Sequence, residues 1–247
     1  MIYDVVHRTT YRYEEAVDLS YHVMRLTPRG LPWQRVLRAT VIATPAPVRV
    51  HDTTDYFGNV ATYMSLEEPH AELVVDARCA VEVRFPAPPP ADATPPWEQV
   101  RDALDGGGLP AETAAVEFAR ESPLVAIDDA VRDFAHVMIA CMRSMGLAAR
   151  YVSGYIRTHA PAGQARRIGA DASHAWVGAF VPDAGWVDLD PTNDLVVSDE
   201  HVVLAWGRDY GDVAPIRGVI LGGGAHRLDV SVDLKPIDLA LATDQNG

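Results

Sequence analysis

The sequence predicts an α+β fold: an N-terminal antiparallel β-sandwich, then helices packed on a second antiparallel sheet. Three observations predict it. Residues 1–86 alternate apolar and polar side chains with the period of two that half-buried strands show. The run Pro86-Ala-Pro-Pro-Pro-Ala-Asp-Ala-Thr-Pro-Pro96 then breaks the pattern with a stiff, polyproline-like stretch. Beyond it, a helical spacing gives way to short β-rich segments, an order that segregates helices from strands. The domain boundaries that follow are residues 1–86 for the sandwich, 87–126 for the Pro-rich linker and short helices, and 127–247 for the core.

Taken in chain order, Val5, His7, Thr9, Tyr11 and Tyr13 share one face of the first strand. Residues 21–27, 34–44, 48–52, 60–65 and 71–85 read as further strands. Phe57-Gly-Asn59 has the residues of a hairpin turn. Two short helices are expected over 97–104 and 111–121, separated by Gly106-Gly-Gly-Leu-Pro110. A long helix over 130–145 follows, its buried stripe formed by Val131, Phe134, Ala135, Met138, Met142 and Met145 at three- and four-residue spacing. Asp128 and Asp129 supply capping carboxylates at its start, and Gly146 is placed to end it in a left-handed conformation. Strands over 150–157, 174–181, 186–189 and 227–234 complete the core. Gly222-Gly-Gly224 reads as a turn, because it lacks the Lys and Ser/Thr of a phosphate loop.

Composition excludes several classes of function. With 48% apolar residues in 247, the chain can bury a substantial core. Its 21 basic and 34 acidic residues leave a net charge of −13, which repels nucleic-acid phosphates and anionic lipid, so neither partner is expected. A strand-like opening without a basic and apolar leader predicts no secretory signal, and no run is long enough to span a bilayer. Cys79 and Cys141 read as free buried thiols in a reducing cytoplasm. No zinc-type spacing and no cofactor motif stands out.

Two further motifs flank a loop after the long helix: Asp171-Ala-Ser-His-Ala-Trp-Val177 and Gly185-Trp-Val-Asp-Leu-Asp-Pro-Thr-Asn193. Together with Tyr3-Asp-Val-Val-His-Arg-Thr-Thr-Tyr-Arg-Tyr13, Asp55-Tyr-Phe-Gly-Asn59, Ala205-Trp-Gly-Arg-Asp-Tyr-Gly-Asp-Val213 and Arg217-Gly-Val-Ile220, they make the chain resemble the bacterial transglutaminase-like family of papain-like cysteine enzymes. The resemblance implies a transglutaminase-like core preceded by the family's β-domain, and C-terminal strands after it. It implies a Cys-His-Asp triad in which His174 is the base and Asp190 fixes its tautomer. The matching thiol belongs two residues before Asp133-Phe-Ala-His136, where this chain has Val131. Relatives carry a longer helical stretch before that position, whereas here Ser122-Pro-Leu-Val125 runs almost directly into Asp128, so the core looks truncated as well.

Other residues bear on the chemistry. Asp128 and Asp129 put negative charge where a thiolate needs positive potential. Cys141 lies ten positions past Val131, roughly 15 Å along the helix, and reads as inert packing. Ser173 neighbours His174 but points to the other face of a strand, and Ser153 is no better supported. His136 reads as packing against the sheet. Trp176 and Trp186 either wall a substrate cleft or pack in the core. Arg166 and Arg167 either receive a carboxylate or lie on a solvated loop.

Three functions fit these residues. The first is a pseudoenzyme that binds a small molecule, a peptide or a protein partner through the old cleft. The second is an enzyme of altered chemistry, in which His174 and Asp190 act as general acid and base in a hydrolysis, cyclisation or isomerisation. The third, a Cys-dependent amidase or acyltransferase, requires Cys141 or Cys79 to reach the pair.

Overall fold

The computed structural model describes residues 1–106, 115–125, 134–159 and 172–238. Val131, Asp128, Asp129, Arg166 and Arg167 lie outside the described residues. Two antiparallel sheets dominate, with few helices. The first sheet contains β1 (Ile2–Met24), β2 (Gln34–Thr44), β3 (Arg49–Thr54), β4 (Val60–Leu66) and β5 (His70–Val83). The second contains β6 (Ala149–Ile156), β7 (Ala172–Val181), β8 (Gly185–Asp190), β9 (Leu195–Val196) and β10 (His201–Gly207), in the order β10-β6-β7-β8-β9. The chain then returns to the first sheet as β11 (Ile216–Gly222) and β12 (His226–Pro236), both paired with β1.

β1 is one strand of 23 residues, where the sequence suggests two. Its first half lies between β5 and β12, its second half between β4 and β11. The register slips between Arg12 and Val17 against β5, and between Val17 and Leu19 against β11. Such slips bend a strand and raise its twist. The sheet therefore curls and covers its own inner face, burying Val17, Met24, Leu66, Leu73 and Val75 in one cluster. This corrects the expected two-layer sandwich: a long bent strand lets one sheet do the work of two. The Asp55–Asn59 turn forms as expected, with Gly58 at φ 77° and the Asp55 carboxylate accepting the Phe57 and Asn59 amides.

Residues 227–234 need a second correction. They belong to β12, which pairs with β1 from Tyr3↔Pro236 to Tyr13↔His226, and not to the core sheet. Alternation identifies a strand but carries no information about its partner. Gly222, Gly223 and Gly224, all at positive φ, make the turn that returns β12 to β1.

The sheets share a core. Tyr3, Val5, Cys79, Val81, Val232 and Leu234 of the first sheet pack with Tyr155, Val202 and Leu204 of the second. Burying side chains such as Val232 and Leu234 contributes about 2 kcal/mol each. His7 lies on this seam, bonded through Nδ1 to the Tyr155 hydroxyl at 2.9 Å and through Nε2 to Thr9 Oγ1 at 2.9 Å.

Two carboxamides join the sheets at the free edge of β10. Gln34 donates from Nε2 to the Val203 carbonyl at 2.7 Å and accepts the Val203 amide at 2.8 Å. Asn59 accepts the Trp206 amide at 2.9 Å and donates to the Trp206 carbonyl at 2.9 Å. Both side chains are fully buried. Each presents one donor and one acceptor, as a neighbouring strand would.

The helices are short. α1 (Trp97–Gly106) and α2 (Phe134–Ser144) pack on the second sheet and its approaches, and α3 (Tyr210–Val213) is one turn long. On α2 the buried residues are Ala135, His136, Ile139 and Arg143, so the stripe is rotated from the expected one: Phe134 is 62% exposed and Met145 40%. Arg143 decides the rotation. Its guanidinium donates to the carbonyls of Phe118, Ala149 and Arg208 and to Ser122 Oγ. Burial lowers that guanidinium to about 10, against the pull of Asp209. Gly146 at φ 76° ends the helix, and its amide and that of Leu147 satisfy the carbonyls of Arg143 and Met142.

Two predictions follow from the seam between the sheets. Asn59→Leu strands the Trp206 amide and carbonyl and lowers stability by about 2–4 kcal/mol in urea denaturation. Gln34→Leu strands the Val203 amide alone, since the Val203 carbonyl keeps the Arg29 amide at 3.3 Å, and costs about 1–3 kcal/mol; a loss below about 0.5 kcal/mol in either would mean the edge is satisfied otherwise. Burial also lowers His7 from 6.5 to about 4, so between those values the unfolded chain binds the extra proton. His7 thus contributes stability that is intact above about pH 6.5 and disappears as the pH falls toward 4, about 3 kcal/mol in all. Denaturation at pH 7.5, 6 and 5 follows it, and His7→Gln makes the profile shallower, leaving the slope that the likewise lowered His22 and His201 add.

Candidate functional site

β7 and β8 run antiparallel, with Val177 opposite Leu189. This brings His174, near the start of β7, to Asp190, the last residue of β8. His174 Nε2 lies 2.7 Å from Asp190 Oδ2. An ionised carboxylate only accepts, so Nε2 carries the proton and Nδ1 of the neutral ring holds the lone pair.

Asp190 is the most heavily bonded carboxylate of the site. Its Oδ1 accepts the amides of Thr192 at 3.0 Å and Asn193 at 3.2 Å. Its Oδ2 accepts Asn193 Nδ2 at 2.7 Å and, besides His174, approaches His201 Nε2 at 3.4 Å. Burial pushes its carboxyl up, but the bonds from Asn193, His174 and His201 reverse this and hold it below the usual carboxylate range.

His174 faces a cavity of about 260 Å³ lined also by Ala135 in the first turn of α2, Tyr151, Ser153, Ser173, Thr192 and Tyr210. These residues offer hydroxyls and one imidazole, and none of the described lining residues is Asp, Glu, Lys or Arg. The site can therefore orient a neutral polar group and exchange a proton through His174. Among the described residues, no three His, Cys, Asp or Glu side chains converge as a metal site would require.

Trp176 lies beneath the pair rather than beside the cavity. It is fully buried, bonded through its indole N–H to Asp188 Oδ2 at 3.0 Å, and its ring centroid is 5.2 Å from that of His201. Trp186 lines a separate hollow with Trp33, Phe85 and residues of the Pro-rich run. Arg150 stacks near Trp186 and pairs with Asp188 at 3.4 Å. His136 packs against Tyr151, with ring centroids 4.7 Å apart.

Neither cysteine lines the cavity. Cys79 is buried in β5, where burial pushes its thiol up to about 12. Cys141 is exposed on α2, contrary to the expected burial, because the helix turns Ile139 and Arg143 inward instead. His201 and Asn193 are the site residues that sequence reasoning missed. The only signal for His201 was a lone imidazole in the apolar run His201-Val-Val-Leu-Ala-Trp206.

Known proteins resemble the chain over nearly its full length. Residues 3–82 match the bacterial transglutaminase-like N-terminal region, and residues 130–191 match the transglutaminase-like superfamily core. Proteins of Mycobacterium tuberculosis and Mycobacterium bovis, both described as uncharacterised, are 34% identical over 96% of this chain and 93% of their own length. The chain belongs to the bacterial transglutaminase-like family. An uncharacterised protein of Mycobacterium leprae is 33% identical over 93% of this chain and 97% of its own. A crystal structure from Cytophaga hutchinsonii, described as a "putative cysteine protease", shares the fold with a TM-score of 0.61 at 17% identity, over 97% of this chain and 92% of that one. The Mycobacterium tuberculosis alignment runs over 292 positions against a chain of 247 residues, so that relative carries at least 45 positions with no counterpart here.

Gly154 tests how the pair is supported. A methyl group there would overlap the Val202 carbonyl and the Trp176 indole. Gly154→Ala is expected to lower stability by about 2–3 kcal/mol and alter the Trp176 environment; unchanged denaturation and tryptophan fluorescence would mean this packing has been misread.

Proposed function

We propose that this transglutaminase-like protein lacks the attacking thiol of its family and uses the cavity at His174 to bind a ligand, a small molecule, a peptide or a segment of a protein partner. The observation that carries the reading is the separation of sulfur from imidazole: His174 is bonded to Asp190 and faces the cavity, while Cys79 and Cys141 do not line it. The sequence supports it with Val131 at the thiol's position. At least 45 alignment positions missing relative to the Mycobacterium tuberculosis protein are consistent with a shortened approach to α2. In this reading Trp176 serves the site from below, by supporting the His–Asp pair.

A second reading rests on the pair's geometry. With Nε2 bonded at 2.7 Å to a carboxylate held below its usual range, Nδ1 of His174 is equipped to take a proton from a bound molecule. Such an enzyme would carry out hydrolysis, cyclisation or isomerisation without a covalent acyl intermediate. A Cys-dependent reaction is the least supported, since the Cys79 thiol stays protonated at neutral pH.

Iodoacetamide at pH 7 separates these readings. Cys141 is expected to react at the rate of an ordinary exposed thiol and Cys79 not at all in the folded protein. Labelling of either cysteine that is accelerated about 10-fold or more over free cysteine, and slowed by His174→Ala, would overturn the proposal. Val131→Cys is expected to give no acyl-enzyme burst with activated amides or esters. Should His174→Ala abolish a measured turnover while its denaturation curve stays unchanged, the second reading replaces the first.

A further inference from the structure

We infer that His201 is a positioning residue for His174, holding the Asp190 carboxylate from the buried side and thereby lowering the proton affinity of the cavity-facing imidazole. The inference rests on His174 and Asp190 being the working pair of the cleft.

Three observations carry it. His201 is 1% exposed and its Nε2 lies 3.4 Å from Asp190 Oδ2, the same oxygen that His174 holds at 2.7 Å. The other nitrogen, Nδ1, faces the Ser198 amide at 3.5 Å. A backbone amide only donates, so Nδ1 is the acceptor and the ring proton sits on Nε2, directed at the carboxylate. The ring is then fixed edge-to-face against Trp176, 5.2 Å between centroids. A phenylalanine would fill that volume; only a donor at Nε2 accounts for the contact with Asp190.

The consequence is electrostatic. Asp190 Oδ2 already accepts Asn193 Nδ2 beside His174, and a further donor leaves it less electron density to offer His174, so it stabilises an imidazolium there less. Burial pushes the His201 imidazole below its ordinary value, so it adds a donor without adding a positive charge. The other charged groups nearby are otherwise engaged. Asp188, two residues before Asp190 on β8, faces Arg150 and Trp176. Asp199 accepts the Phe85 amide, and Glu200 pairs with Arg157 and His159.

Histidine titration by NMR tests this without any substrate. His201→Phe should raise the His174 midpoint by about half a pH unit or more, and His201→Gln, which restores an N–H donor, should return it most of the way. Asp190→Asn should lower it. A His174 midpoint unmoved by His201→Phe, while Asp190→Asn lowers it, would reduce His201 to packing and overturn the inference. If neither substitution moves His174, the His–Asp pair itself has been misread, and the inference falls with it. The wild-type protein provides a check that survives a variant's failure to fold: its long-range nitrogen spectrum should identify His201 as the Nε2–H tautomer, and the Nδ1–H tautomer would overturn the proposal.

Discussion

The backbone of β10 ends the second sheet, and the carboxamides of Gln34 and Asn59 occupy its outer edge as a sixth strand would. An edge buried without partners would cost about 1–3 kcal/mol for each stranded group. Here the first sheet supplies partners from side chains, so the two sheets are locked at a fixed angle by hydrogen bonds as well as by the shared core. β10 also begins with His201, and its neighbour β6 carries Ser153 and Tyr151 into the cavity. The geometry of the cleft is thus anchored to residues about 150 positions away in sequence.

The same economy governs the buried charges. Asp188 and Asp190 lie two residues apart on β8 and face the same side, yet have different partners. Asp188 takes the Trp176 indole and the Arg150 guanidinium, both deep in the protein. Asp190 takes two imidazoles, Asn193 and two backbone amides at the sheet's end. Arg150 in turn lies over the Trp206 ring, 3.9 Å from its centroid, and Arg29 lies 3.6 Å from the same centroid. Buried ion pairs of this kind add little net stability but penalise every alternative packing in which a charge loses its partner. Trp176 links the two groups, bonded to Asp188 and packed against the His174 and His201 rings that hold Asp190.

Much of this was legible in the sequence, for reasons that differ by element. The strands from 34–44 to 71–85 were visible because alternation is a local property, as were the Asp55–Asn59 turn and the Gly146 cap. The His174–Asp190 contact was read through family motifs and could not have come from spacing alone. Two features resisted. The partner of residues 227–234 is set by the bend in β1, which no local pattern announces. The orientation of α2 is set by Arg143, a charged residue outside the apolar stripe whose four acceptors come from three other segments of the chain. His201 escaped because its role depends on an oxygen eleven residues earlier, brought near when the chain crosses from β9 at one edge of the sheet to β10 at the other.

The long first strand also constrains how the molecule is made. Residues 2–24 are made well before residues 216–236, to which half of their strand pairings belong. Until those are synthesised, β1 can pair only with β4 and β5, and one flank of it stays open to other nascent chains. Closure by β11 and β12 is a non-local event of the kind that slows folding. The chain is therefore most exposed to aggregation in the interval between the synthesis of β5 and that of β12.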